Sequence, residues 1–132
     1  MKLTRASNYA LHAVAYLAAK KSDKPIASHK VARACGIYER FLLKVLKPLV
    51  SIRVLSSIKG PNGGYKLAKP PTQINLLEII QAADNNEVQG HAPFTDPKNP
   101  ALNKKIDHVC DQAAAAVREY LLKTKLSDLL KR

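Results

Sequence analysis

Three of the chain's five glycines fall within five residues, in the stretch IKGPNGGYKLAKPP that begins at Ile58. Backbone passing through Gly60, Pro61, Asn62, Gly63 and Gly64 can neither extend a helix nor sit in a central strand, so it must reverse there. Val54, Leu55 and Ile58 lie on one side of this turn, Tyr65 and Leu67 on the other. That arrangement predicts a two-stranded hairpin whose loop is slightly longer than the tightest turns. Glycine-rich loops also cradle phosphates in nucleotide-binding enzymes, but the spacing here rules that reading out. There is no GxxxxGK[ST], no GxGxxG opens a helix, and the glycines lead into a strand.

Before the hairpin the apolar period is helical. Leu3, Ala6, Ala10, Ala13, Val14 and Leu17 recur at three and four, which predicts a helix over 4–20 with a core-facing stripe. The SDKP stretch at 22–25 breaks it, because Pro25 disfavours helix at the residue before it. Ser28 is placed to N-cap a short helix over 29–34 that presents Val31 and Ala32 inward. Cys35-Gly36 ends that helix, glycine being suited to the left-handed position past the end. A third helix is expected from about 38 to 50, with Phe41, Leu42, Val45, Leu46 and Leu49 as its apolar set. Pro48 is expected to kink it or loosen its last turn.

Residues 28–50 thus read as helix, glycine-bearing turn, helix. In that pattern the second helix normally enters the DNA major groove. Its exposed positions would be Tyr38, Glu39, Arg40, Leu43, Lys44 and Lys47. Arg40, Lys44 and Lys47 are spaced four and three and share one face. A guanidinium can read a guanine edge bidentately, and ammonium groups neutralise phosphates. A hairpin directly after such a helix is a wing. Its backbone amides and Lys59 or Lys66 are placed to straddle phosphates or reach a narrowed minor groove.

Charge points the same way. The net charge of +12 is unevenly distributed: residues 1–66 carry 13 Lys and Arg against Asp23 and Glu39, while residues 67–132 carry 9 against 8 acids. A polyanion-binding half joined to an association or sensing half is the natural reading. The cations sit on separate elements rather than along one amphipathic face, which argues against a membrane surface. No apolar run reaches the length of a membrane span, and the interrupted N-terminal stretch reads as a mature helix, so a cytoplasmic protein is expected.

Three segments together carry a family resemblance: MKLTRASNYALHAVAYLA, VARACGIYERFLLKVLKPL and IKGPNGGYKLAKPPTQINLLEIIQAAD. They resemble the Rrf2 family of winged-helix transcription regulators, whose wing carries a similar RGxxGGYxLARPPxxI. The resemblance covers nearly the whole chain. It implies a mainly α fold with a small β-hairpin, made of a winged helix-turn-helix domain and a long C-terminal dimerisation helix. It implies a homodimer on palindromic promoter DNA, with contacts from Ser28, from the Tyr38–Lys47 face (Tyr38, Glu39, Arg40, Lys44 and Lys47), and from the wing residues Lys59, Gly60, Pro61, Asn62, Gly63, Gly64 and Tyr65. Lys59 replaces the usual wing arginine, keeping charge but losing planar bidentate reading. Leu43 stands where several relatives have an acid, and Arg53 where the turn commonly has glycine.

The organisation expected is a DNA-binding domain over 1–84, a loop over 85–101 and an association segment over 102–132. The loop, NNEVQGHAPFTDPKNPA, is rich in proline and polar residues. Beyond it a helix of about 101–123 places Leu102, Ile106, Val109, Ala113, Ala116 or Val117, and Tyr120 on a coiled-coil-like stripe. The alanine run at 113–116 would let another helix approach closely, and two-fold pairing would set two recognition helices on successive major grooves. Ser127 could cap a terminal turn. Many Rrf2 relatives hold an iron–sulfur cluster through three closely spaced cysteines, but this chain has only Cys35 and Cys110. No cofactor and no metal are therefore expected, with Cys110 a small hydrophobe and His91 and His108 surface residues. No nucleophile–base pair or paired carboxylates suggest an enzyme. The reading is a sequence-specific DNA-binding regulator, a repressor in the simplest case. The alternatives are a sensor whose small-molecule or metal effector binds near 85–101, and a protein-interaction module without specific DNA binding.

Overall fold

A computed structural model describes residues 2–21, 23–85 and 96–131. Expectations that fall on 86–95, His91 and most of the effector loop among them, lie outside the described residues. In chain order the elements are α1 (Arg5–Lys20), α2 (Ser28–Cys35), α3 (Glu39–Ser51), β1 (Leu55–Ile58), β2 (Gly64–Leu67), a 3-10 turn at Pro71–Gln73, α4 (Leu76–Asp84), α5 (Pro100–Lys123) and α6 (Leu126–Leu130). The mainly helical class with one hairpin is the one the sequence implies.

α1 buries Ala10, Ala13, Val14 and Leu17, as its period requires. Leu3 departs from the expected stripe: it precedes the helix and is exposed. Thr4 takes the N-cap, its Oγ1 accepting from the Ser7 N–H at 3.1 Å. Ser7 itself is fully buried, and its hydroxyl donates to Asp84 Oδ1 at 2.8 Å. The Thr4 hydroxyl donates to the same oxygen, so the end of α4 is tied to the start of α1. A carboxylate there satisfies two hydroxyls and complements the positive end of the α1 dipole.

α2 begins at Ser28 rather than after it. Ala27 occupies the cap position, with no side-chain hydrogen bond, so Ser28 is not the N-cap. The reason lies one residue upstream. Ile26 exchanges both backbone hydrogen bonds with Tyr65, at 2.9 Å each, and so feeds the chain into the helix already extended. Gly36 ends α2 at φ 68°, in the left-handed region. α3 buries Leu42, Val45, Leu46 and Leu49 and runs through Pro48 to Ser51. Pro48 lacks the N–H that Lys44 C=O would accept, and the last turn closes instead through Ile52 N–H on Pro48 O at 3.1 Å.

The chain leaves α3 through Arg53 at φ 64°, left-handed for a residue with a Cβ. Such a conformation costs roughly 1–2 kcal/mol that glycine largely avoids. Arg53→Gly is therefore expected to raise stability by about 0.5–1 kcal/mol in urea unfolding.

β1 and β2 pair antiparallel, Leu55 opposite Leu67 and Ile58 opposite Gly64. Leu55 and Val54 join Leu42, Leu46, Leu49, Ile74 and Ile79 in the single core. The C-terminal segment returns to that core. Leu126 is fully buried; its N–H donates to Ile74 O at 2.8 Å, and Leu76 N–H donates to Thr124 O at 3.0 Å. Ser127 is not the cap of α6. Lys125 holds that position, and the Asp128 carboxylate accepts its N–H at 2.9 Å.

Candidate nucleic-acid interface

The exposed side of α3 is built from the residues its buried face leaves over. With Leu42, Val45, Leu46 and Leu49 in the core, Glu39, Arg40, Leu43, Lys44 and Lys47 are turned outward. None of these cations has a carboxylate partner among the described residues, where the ion pairs include Lys69–Glu78, Lys123–Glu119 and Lys131–Asp128. An uncompensated cationic strip on one helix is an electrostatic footprint for a polyanion.

Phe41 is the departure on this helix. Sequence periodicity assigns it to the core, but it is exposed at the edge of the buried stripe, where the helix turns toward α1. Its ring meets Tyr38 edge-on at 6.1 Å between centroids, and the Arg40 guanidinium lies 4.8 Å over it. Tyr38, 77% exposed, precedes the first turn of α3. The Phe41 ring beneath the guanidinium limits the rotamers open to Arg40.

Between α1 and α3 lies a shallow cavity of about 200 Å³ lined by Arg5, Ala6, Tyr9, Phe41, Lys44 and Val45. It brings Arg5 alongside Lys44, a residue the sequence reading missed. The signal was present, since Lys2 and Arg5 are the first two cations of the chain, but nothing in the sequence alone places the start of α1 beside α3.

The wing is anchored at its base and free at its tip. Gly63 N–H donates to Gly60 O at 3.0 Å, which closes the turn over Pro61 and Asn62. Lys59, Gly60, Pro61 and Asn62 are exposed, whereas Gly63, Gly64 and Tyr65 are half-buried. Gly64 has no room for a side chain. A Cβ there would run into the Ile26 carbonyl and stand 2.7 Å from the Ala27 nitrogen, at a φ of 154°. Tyr65 anchors the wing base, paired to Ile26. Lys66 is also turned to the base, its Nζ donating to the Asp23 carbonyl at 3.5 Å, so Lys59 is the cation at the tip. Ser28, half-buried, opens α2 next to this junction.

α5 presents two faces. Ala114 and Leu121 are buried against the chain's own domain, and Val117 packs on the core from the same side. About a quarter-turn away, Leu102, Ile106, Val109, Ala113, Ala116 and Tyr120 are all exposed. The expected stripe is thus divided: Val117 is an intrachain contact, and the other six residues form an uncovered apolar line. Cys110 is half-buried and His108 exposed. Cys35 donates to the His12 carbonyl at 3.8 Å, and partial burial pushes its thiol pKa up, the opposite of what a reactive thiolate needs. No helix among the described residues is long and apolar enough to cross a membrane.

A helix-turn-helix continued by a pinned two-stranded wing defines the winged-helix class of transcriptional regulators. Residues 3–132 match the Rrf2 family, described as an iron-dependent transcriptional regulator, and the chain belongs to that family. It is 33% identical over 134 residues to the HTH-type transcriptional regulator NsrR of Halalkalibacterium halodurans, covering 98% of this chain and 90% of NsrR. Protein aau3 of Rhizobium meliloti is 34% identical over 86 residues, 65% of this chain and a little over half, 55%, of that protein. Among solved structures, CymR, the global cysteine regulator of B. subtilis, superposes with a TM-score of 0.77 at 26% identity, covering 98% of this chain and 95% of CymR.

The family description raises iron, and the two cysteines of this chain do not fit a thiolate-held iron–sulfur cluster. Iron–sulfur clusters are held by several thiolates, and the chain has two cysteines, one ending α2 and one within α5. Among the described residues no three His, Cys, Asp or Glu side chains are grouped to hold a metal ion.

Proposed function

We propose that this Rrf2-family regulator is a homodimer that binds palindromic promoter DNA sequence-specifically and represses by occupying it, without an iron–sulfur cluster and without enzymatic activity. The observation that carries the proposal is the strip of Arg40, Lys44 and Lys47, exposed and free of carboxylate partners among the described residues, on the second helix of a winged helix-turn-helix. In this reading α3 lies in the major groove. Arg40, steadied on Phe41, reads a guanine edge, while Lys44, Lys47 and Arg5 neutralise phosphates. The wing tip, with Lys59 and the backbone of Gly60 to Asn62, meets the flanking backbone. Residues 1–84 would form the reading head and 102–132 the association segment, with the uncovered α5 line pairing two copies about a two-fold axis. Such a protein works where the chromosome is, in the cytoplasm, and any effector would act through the segment that begins at residue 85.

Salt dependence tests the phosphate assignments. Lys59→Ala is expected to weaken binding to all duplexes alike and to lower the slope of log affinity against log salt by about 1. An unchanged slope would remove the wing tip from the interface, and binding that shows no salt dependence would favour a protein-interaction module.

A further inference from the structure

We infer that Leu43 is a specificity-determining residue, one that selects a thymine by its C5-methyl group. The inference rests on the major-groove placement of α3 proposed above. Leu43 is 39% exposed, three residues after Arg40 and four before Lys47, on the same outward side as both. It contributes nothing to the core, whose α3 members are Leu42, Val45, Leu46 and Leu49. The side chains around it on the outer face, Glu39, Arg40, Lys44 and Lys47, are all charged, so it is not part of an apolar patch that could dock a protein.

A leucine in that position has one kind of partner in a major groove. Every base-pair edge there presents hydrogen-bonding groups, and the thymine methyl is the sole apolar group. Seating Leu43 against any other edge would strip water from a polar group that leucine cannot satisfy. Against thymine, the leucine and the methyl lose water together. Leu43 stands about 4.5 Å along the helix axis from Arg40, near enough for the two side chains to address neighbouring base pairs. Arginine would then specify by hydrogen bonds and leucine by methyl contact, on adjacent letters of each half-site.

The test replaces thymine by deoxyuridine, one position at a time, in the duplex that the full chain selects from random DNA. That exchange removes the methyl and leaves the hydrogen-bonding edge unchanged. One thymine per half-site is expected at which deoxyuridine lowers affinity about fourfold, the worth of one buried methyl. Leu43→Ala should bind the thymine and deoxyuridine duplexes equally, while still distinguishing both from a duplex altered at the guanine read by Arg40. Because Leu43 is exposed, the variant should keep the parent's unfolding curve. If no deoxyuridine position matters, or if the discrimination persists in Leu43→Ala, the inference is overturned. If random DNA yields no preferred sequence at all, the proposed regulator reading fails before the thymine question arises.

Discussion

Val109→Arg is expected to abolish the proposed dimer, leaving a monomer in sedimentation where the parent chain is expected to run as a dimer, and to lower affinity for the proposed operator about 100-fold or more. Val109 is 66% exposed near the middle of the uncovered α5 line, between Ile106 and Ala113. In a lone subunit arginine would simply point into water there, so folding should be unaffected. In a two-fold pairing the same surface meets its own copy, and two guanidiniums would face each other where aliphatic side chains had closed. The affinity loss follows from valency, because a dimer binds its second half-site at high effective concentration and a monomer has no second half-site to offer. Ala114 is the wrong residue for this experiment: it is buried on the inner face, where a large substitution would damage the domain itself. A dimer that survives Val109→Arg would place the subunit contact elsewhere.

Gly64→Ala is expected to detach the base of the wing. The added Cβ would collide with the Ile26 carbonyl and the Ala27 nitrogen, both backbone atoms that cannot rotate away. The conflict can be relieved only by separating Tyr65 from Ile26, which breaks the two 2.9 Å hydrogen bonds that pin the wing beside α2. A cost of about 1–3 kcal/mol in unfolding free energy is expected, with a fall in DNA affinity of about tenfold or more as the wing loses its angle. Gly60→Ala is the control. A Cβ there meets nothing within 4 Å, although its φ of 111° still strains an alanine. Stability should therefore fall less than in Gly64→Ala. Equal losses would show that backbone conformation, rather than contact with Ile26, makes Gly64 necessary.

How far the fold could be read from sequence depended on whether a signal was local. The stripe of α1, the glycine end of α2 and the inward set of α3 are each written in a few adjacent residues, and helices form where the periods place them. Errors arose wherever distant chain decides the outcome. Ser28 has the chemistry of a cap, but Ile26 is held extended by a residue 39 positions later, so the helix starts without needing one. Phe41 fits an apolar period, yet it sits at the rim, where the neighbouring helix leaves a cavity rather than a covering side chain. Lys66 is as cationic as Lys59, but the hairpin register turns it to the wing base. The charges of the proposed interface, on α3 and the wing, could be picked out from sequence. The position of Arg5 beside Lys44 could not, because the packing of α1 against α3 is a tertiary fact. The α5 stripe was visible in sequence, but its division into an inner line through Val117 and an outer line through Val109 required the fold.

In the proposed function, two copies of this chain read a symmetric DNA sequence through α3 and the wing. Selection of bound duplexes from random DNA by the full chain, repeated at rising salt, tests it most directly. One inverted repeat with its half-site centres about 34–36 Å apart is expected to be enriched, and retained while non-specific binding falls steeply with salt. A pool that stays random as all binding disappears together would contradict it.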